Sequence, residues 1–194
     1  TPHCVIAAYP NIRELRGADN KLLYIDNDLM LARLYLNHRI DACELTPDFV
    51  GNTDALFVGA ASQAQCAIRA AHDRDWFYLR VDRLDRYLTA GDGIELKLRI
   101  GRKVYTLGAN LGGKVWYALN DAPNADFGAT AETTLCGELD VWAGNDNGAV
   151  TIFSLPREIF GRADIAEIDV VMQNDDDGAF TEETLGGWQK IRIV

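Results

Sequence analysis

From residue 63 onward, apolar and polar positions alternate along most of the chain. In DRDWFYLRVD, residues 73–82, Phe77, Leu79 and Val81 fall on one side and Trp76, Tyr78, Arg80 and Asp82 on the other. That period of two is what a strand requires. IELKLRI repeats it, with Ile94, Leu96, Leu98 and Ile100 against Glu95, Lys97 and Arg99. Breaks punctuate the runs: LTAGDG at 88–93, GRK at 101–103 and NLGGK at 110–114. QAQCAIRAAH, VYTLGA, VWYALN, GELDVWAG, GAVTIFSL, AEIDVVMQ and WQKIRIV read as further strands. Short strands at this spacing predict an all-β fold: a two-sheet antiparallel β-sandwich of jelly-roll or immunoglobulin-like type, with few short helical turns. One such turn is expected in LPREIFGR, with Pro156 at its start and Gly161 at its end.

Residues 1–42 are less regular. In DNDLMLARLYLNHRID, 26–41, the dense apolar run suits a buried strand, whereas Asp28 suits a helix cap; strand is the expectation. The chain therefore divides into 1–42, either extra strands or the tail of a preceding domain, and 43–194, the sandwich.

Composition narrows the function. Apolar residues make up 48% and charged residues 25% of the 194, enough for an ordinary core. The net charge of −10 argues against nucleic acid and against an anionic membrane surface, both of which demand a basic face. No apolar run approaches the roughly 18 residues of a membrane-spanning helix. The opening TPHCVIAAYP has neither an initiator Met nor a signal-peptide layout, so the chain is expected to be an excised piece of a longer one. Cys4, Cys43, Cys66 and Cys136 form no C-x-x-C pair, which argues against a zinc ribbon; disulfides and free buried thiols both stay open. G-x-S-x-G, H-E-x-x-H and P-loop motifs are absent, and His3, His38 and His72 are scattered.

Taken in order, several segments resemble the family-nine carbohydrate-binding modules and the wider DOMON-like sandwich. LTPDFVGNTDALFVGA (45–60) is similar to the family's entry segment, DRDWFYLRVDRLD (73–85) to its next strand and GDGIELKLRI (91–100) to its D-x-x-E strand, with Asp92 and Glu95 on the motif's polar positions. TIFSLPREIFG and AEIDVVMQNDDDG resemble two late strands. The chain departs from the pattern at Gly51-Asn52, where Asp-Gly is usual, and at Arg83-Leu84, where an acidic pair is common. The resemblance implies a non-catalytic carbohydrate-binding accessory domain, covalently linked to other domains of a glycoside hydrolase or sialidase-like protein, extracellular or periplasmic. Two other functions stay in view: a structural spacer that binds nothing, and a glycan-acting enzyme in its own right.

Sugar recognition needs flat aromatic faces for C–H surfaces and planar polar groups for hydroxyls. Trp76 and Tyr78 offer the first, and Arg80, Glu95, Lys97 and Arg99 the second, on the expectation that the strands 76–82 and 94–100 are neighbours sharing one face. Trp116 and Trp142 are further carbohydrate-binding candidates; in VWYALN one of the two aromatics must face outward. QNDDDG clusters Asp175, Asp176 and Asp177 in an acidic turn, the candidate metal site, with Ca2+ as the ion.

Overall fold

A computed structural model of the chain describes residues 55–60, 63–176 and 178–193, with backbone alone for 143–146 and for four two-residue strands before residue 45. The strands are β1 (Leu15–Arg16), β2 (Leu22–Leu23), β3 (Ile40–Asp41), β4 (Cys43–Glu44), β5 (Leu56–Gly59), β6 (Ala64–His72), β7 (Trp76–Tyr87) and β8 (Gly93–Ile100). They continue as β9 (Lys103–Asn110), β10 (Val115–Leu119), β11 (Ala122–Pro123), β12 (Thr130–Leu135), β13 (Trp142–Pro156), β14 (Ile165–Asp176), β15 (Ala179–Thr184) and β16 (Gln189–Arg192). One sheet runs β11-β10-β9-β8-β14-β16-β3, with β15 also on β14; a second runs β12-β13-β7-β6-β4, with β5 also on β6; β1 and β2 pair with each other. All pairings are antiparallel except the two-residue contacts of β3 with β16 and β4 with β6. The sandwich expected from the alternation is what forms. A 3-10 turn, Arg157–Phe160, follows Pro156 and ends at Gly161, as expected for LPREIFGR. No described helix is long and apolar enough to cross a membrane. The proposed division at residue 42, and most of the 26–41 segment, lie outside the described residues.

Alternation makes the core. Phe77, Leu79, Phe153 and Leu155 of one sheet meet Leu96, Leu98, Ile168, Val170 and Met172 of the other, all with essentially no exposure. Buried apolar area contributes about 25 cal/mol per Å2, so this interior supplies most of the driving force. Cys66 lies within it as a free thiol, pushed up to about 12 by burial and therefore inert; Cys136 is free and exposed.

Two expectations are corrected. The strands 76–82 and 94–100 are not neighbours: β7 pairs with β6 and β13, and β8 with β9 and β14, in opposite sheets. LTAGDG is not a hairpin turn but a crossing between sheets. The reason lies at the end of β7, where the inward positions change from apolar to charged at Arg83 and Asp85, both buried. Arg83 Nε and Nη2 donate to Asp85 Oδ2 at 2.9 and 2.7 Å. The same guanidinium reaches the opposite sheet, donating to the Gln173 carbonyl at 2.9 Å and to Asn174 Oδ1 at 2.6 Å, with Asp92 Oδ1 3.1 Å away. Asp92 in turn accepts from the Thr89 N–H at 2.8 Å and the Asp175 N–H at 2.8 Å. These bonds direct the 88–92 segment across the sandwich instead of back along β7.

The second correction concerns QNDDDG. β14 continues as a strand through Asp176, paired with β15, so Asp175 and Asp176 are strand residues and not part of a turn. Asp175 and Asp176 are successive strand residues and point to opposite faces. Asp176 accepts from Asn174 Nδ2 at 2.9 Å, while Asp177 lies outside the described residues. No three His, Cys, Asp or Glu side chains among the described residues come together as a metal site.

Two outcomes test the clamp between the sheets. Arg83→Met should lower unfolding free energy by about 3–5 kcal/mol, read from the urea midpoint, because it strands buried carboxylates without their cation. Burial also pushes Asp92 up to about 6, against the pull of Arg83 and the N–H groups of Asp175 and Thr89. The folded protein therefore protonates Asp92 before the unfolded chain does, and this contribution to stability is full below the usual 3.8 and lost as pH rises through about 6. Asp82 and Asp85, raised by the same burial, slope the same way. The urea midpoint should be higher at pH 5 than at pH 7, and Asp92→Asn should flatten that difference.

Candidate functional site

The two outer faces of the sandwich differ sharply. On β7 the outward side chains are largely committed to one another. Arg80 donates to Asp82 Oδ1 through Nε at 2.9 Å and Nη2 at 2.8 Å, and Asp82 also accepts from the fully buried Arg69 at 2.8 Å. The Tyr78 hydroxyl donates to Asp73 Oδ2 at 2.8 Å. Burial, helped by that bond, pushes Tyr78 up to about 12, and the bond is the main reason Asp73 sits below the ordinary carboxylate range. Trp76, at the strand end, is 36% exposed. Three of the sequence candidates, Trp76, Tyr78 and Arg80, thus lie together on β7, but on the opposite sheet from Glu95, Lys97 and Arg99. Trp142 lies at the far end of the β7 sheet, 68% exposed and stacked on Tyr87 with ring centroids 5.0 Å apart.

The outer face of the β8 sheet is open and differently built. Strand register places Trp116 beside Gly108, Gly108 beside Glu95 and Glu95 beside Val171 in one row. The next rows carry Thr106, Lys97 and Asp169, then Val104, Arg99 and Glu167. Of the VWYALN aromatics, Trp116 faces outward; Tyr117 packs inward against Phe127, edge to face. The Trp116 indole lies flat across Gly108, where an added Cβ would overlap its Cε2, Nε1 and Cζ2 atoms. A bare backbone there lets the ring lie over β9 and donate from Nε1 to Glu95 Oε2 of β8 at 2.8 Å. Lys97 Nζ lies 3.7 Å from the other Glu95 oxygen, and Lys114 Nζ sits 5.8 Å from the Trp116 ring centroid. Further along β8, Arg99 pairs with Glu167 at 2.6 Å and lies 4.3 Å from the centre of the Trp188 ring. Trp116, Glu95, Lys97 and Arg99, all named from the sequence, therefore share this face.

What arises is an aromatic plate held edge-on by a carboxylate, beside a row of partly exposed cations and acids. Such a surface can stack against an apolar ring face and hydrogen-bond around its rim. Gly108, Glu167 and Trp188 were missed in the sequence. An isolated glycine inside the strand pattern of VYTLGA was the available signal, since it marks a close approach. Glu167 and Trp188 carried no comparable local sign, because β14 and β16 meet β8 only through tertiary pairing.

Gly108→Ala should displace the indole and break its bond to Glu95. The expected outcome is a red-shifted tryptophan emission and a stability loss of about 1–3 kcal/mol from overpacking; an unchanged spectrum would contradict the flat seating.

No family model matches the chain, and no curated protein matches it. Among solved structures it is similar to a carbohydrate binding module family 9 domain from Caldicellulosiruptor kristjanssonii, determined in complex with glucose. The TM-score is 0.56 at 13% identity, over 81% of this chain and 96% of that one. This chain has the fold of a family 9 carbohydrate-binding module.

Proposed function

We propose that this domain binds carbohydrate, non-catalytically, through the outer face of the β8 sheet. The observation that carries this is the seating of Trp116: its ring lies over Gly108 and its Nε1 is fixed by Glu95, so a flat apolar surface is held in place before any ligand arrives. Preorganisation of this kind reduces the ordering cost that otherwise offsets binding. Burying C–H surface on the ring contributes about 25 cal/mol per Å2, and charged partners give hydrogen bonds of roughly 1.5–3 kcal/mol. After association costs, dissociation constants in the micromolar to millimolar range are expected. The glucose held by the similar family 9 domain supports the ligand class. The β7 face serves structure, since its arginines and tyrosine hydroxyl satisfy neighbouring carboxylates. We place the domain as an accessory unit of a larger glycan-processing protein working outside the cytoplasm, in keeping with the resemblance of its motifs.

Calorimetry separates the faces. Wild-type protein should bind glucose or a glucose-containing oligosaccharide, Trp116→Ala should lose about tenfold or more of that affinity, and Trp76→Ala should keep it within about twofold. Loss in Trp76→Ala with retention in Trp116→Ala would move the site to the other sheet. Binding by neither variant nor wild type would leave the spacer role.

A further inference from the structure

Around the Trp116 plate, acids and cations are not equally engaged. We infer that the sugar taken there is an acidic one, a uronic acid unit whose carboxylate is met by Lys97 and Lys114. The inference rests on the proposed carbohydrate function and adds the charge of the ligand to it.

The carboxylates of this face already accept bonds from the protein. Glu95 Oε2 takes the Trp116 Nε1–H at 2.8 Å, Glu167 Oε2 takes the Arg99 Nε–H at 2.6 Å, and Asp169 Oδ1 takes the Val170 N–H at 3.0 Å. The lysines are not tied in the same way. Lys97 Nζ lies 3.7 Å from Glu95 Oε1, too long for a hydrogen bond. Lys114 Nζ meets no carboxylate at ion-pair distance among the described residues, and its neighbour is the Trp116 ring, 5.8 Å away at the centroid.

The strands fix where these two charges stand. Lys97 is two positions along β8 from Glu95, and Lys114 is two positions before Trp116, so each shares the outer face with the plate. Asn110 closes the turn that delivers Lys114 from both sides: its N–H donates to the Lys114 carbonyl at 2.9 Å, and its Oδ1 accepts from the Lys114 N–H at 2.8 Å. Lys114 is exposed, and the Lys97 side chain is 38% exposed. A neutral sugar leaves both ammonium groups unanswered. A hexuronic acid carries its carboxylate on the carbon that projects from the ring, so the charge lies at the rim when the C–H surface stacks on the indole. Charge-assisted N–H···O bonds are the stronger kind. Glu95, the acid that touches the plate, is outnumbered there by the two lysines. The net charge of −10 does not cancel them, because at about 0.15 M salt charges more than about 8 Å apart are largely screened.

Calorimetry with glucose, glucuronate and glucuronamide separates charge from shape, since the amide is neutral and nearly isosteric with the acid. At about 0.1 M salt glucuronate should bind about fivefold or more tighter than glucuronamide, and at about 1 M salt, where the screening length is about 3 Å, the ratio should fall to about twofold or less. Combining Lys97→Met with Lys114→Met, which keeps the apolar stems, should remove the preference, with thermal midpoint and tryptophan emission reporting that the double variant is folded. Trp116→Ala should weaken all three ligands. Glucuronate binding no tighter than glucuronamide, with either neutral sugar still bound, overturns the acidic ligand and leaves the carbohydrate reading standing. A preference that survives the double variant or high salt, or glucuronate affinity untouched in Trp116→Ala, overturns its assignment to these lysines. Absence of binding by all three ligands overturns the proposed function and the inference together.

Discussion

The buried guanidinium of Arg83 is the contact on which the arrangement of this sandwich turns. It sits where β7 runs out of apolar inward positions, and it is the point at which the chain changes sheets. A hydrophobic pair there would hold the layers together without saying where the next strand goes. The arginine instead gathers oxygens from both sheets, Asp85 on its own and Gln173 and Asn174 on the other, with Asp92 at the start of β8 beside them. A buried charge must be met by partners in defined directions, so the position of Asp92 and of the strand that follows is set by satisfying it. Every outward residue of β8, from Glu95 to Arg99, inherits its sheet and its register from that crossing.

The consequence is a division of labour between two faces that look alike as text. Both β7 and β8 alternate aliphatic residues with charged ones. On the β7 sheet Arg69 and Arg80 both bond to Asp82, and Arg69 and Asp82 are withdrawn from solvent. On β8 the charges are shared among partners that stay partly exposed, with side-chain exposure of 38% for Lys97 and 36% for Arg99. A face whose groups are mutually satisfied and buried has little to offer a ligand. One whose groups remain hydrated at their rims can exchange water for hydroxyls at modest cost. The indole of Trp116 adds the flat surface, and Gly108 is what lets it lie there.

Much of the fold was legible because alternation is a local property. Phe77, Leu79 and Val81, or Leu96 and Leu98, announce which side is core wherever their strands end up. The 3-10 turn was legible for the same reason, since Pro156 and Gly161 act on their own neighbours. Neighbourhood between strands was not. LTAGDG carries the glycines of a hairpin, and only the buried side chains of Arg83 and Asp92, whose partners lie some ninety positions away at Gln173–Asp175, decide that it crosses instead. The same limit explains the acidic run at 175–177. Its composition is that of a turn, yet pairing with β15 extends the strand through Asp176. Of the site, the residue types were readable and their grouping was not: Glu95, Lys97, Arg99 and Trp116 stand together, while Trp76, Tyr78 and Arg80 belong to the other sheet.

The central claim is that a ligand meets the face built on Glu95, Gly108 and Trp116. Amide and indole chemical-shift mapping during a glucose titration tests it most directly. The account predicts that the Trp116 indole N–H and the amides of Gly108 and Glu95 shift together and saturate, while the β7 residues from Trp76 to Asp82 stay in place. Saturable shifts centred on Trp76 and Tyr78, with the Trp116 indole unmoved, would contradict it.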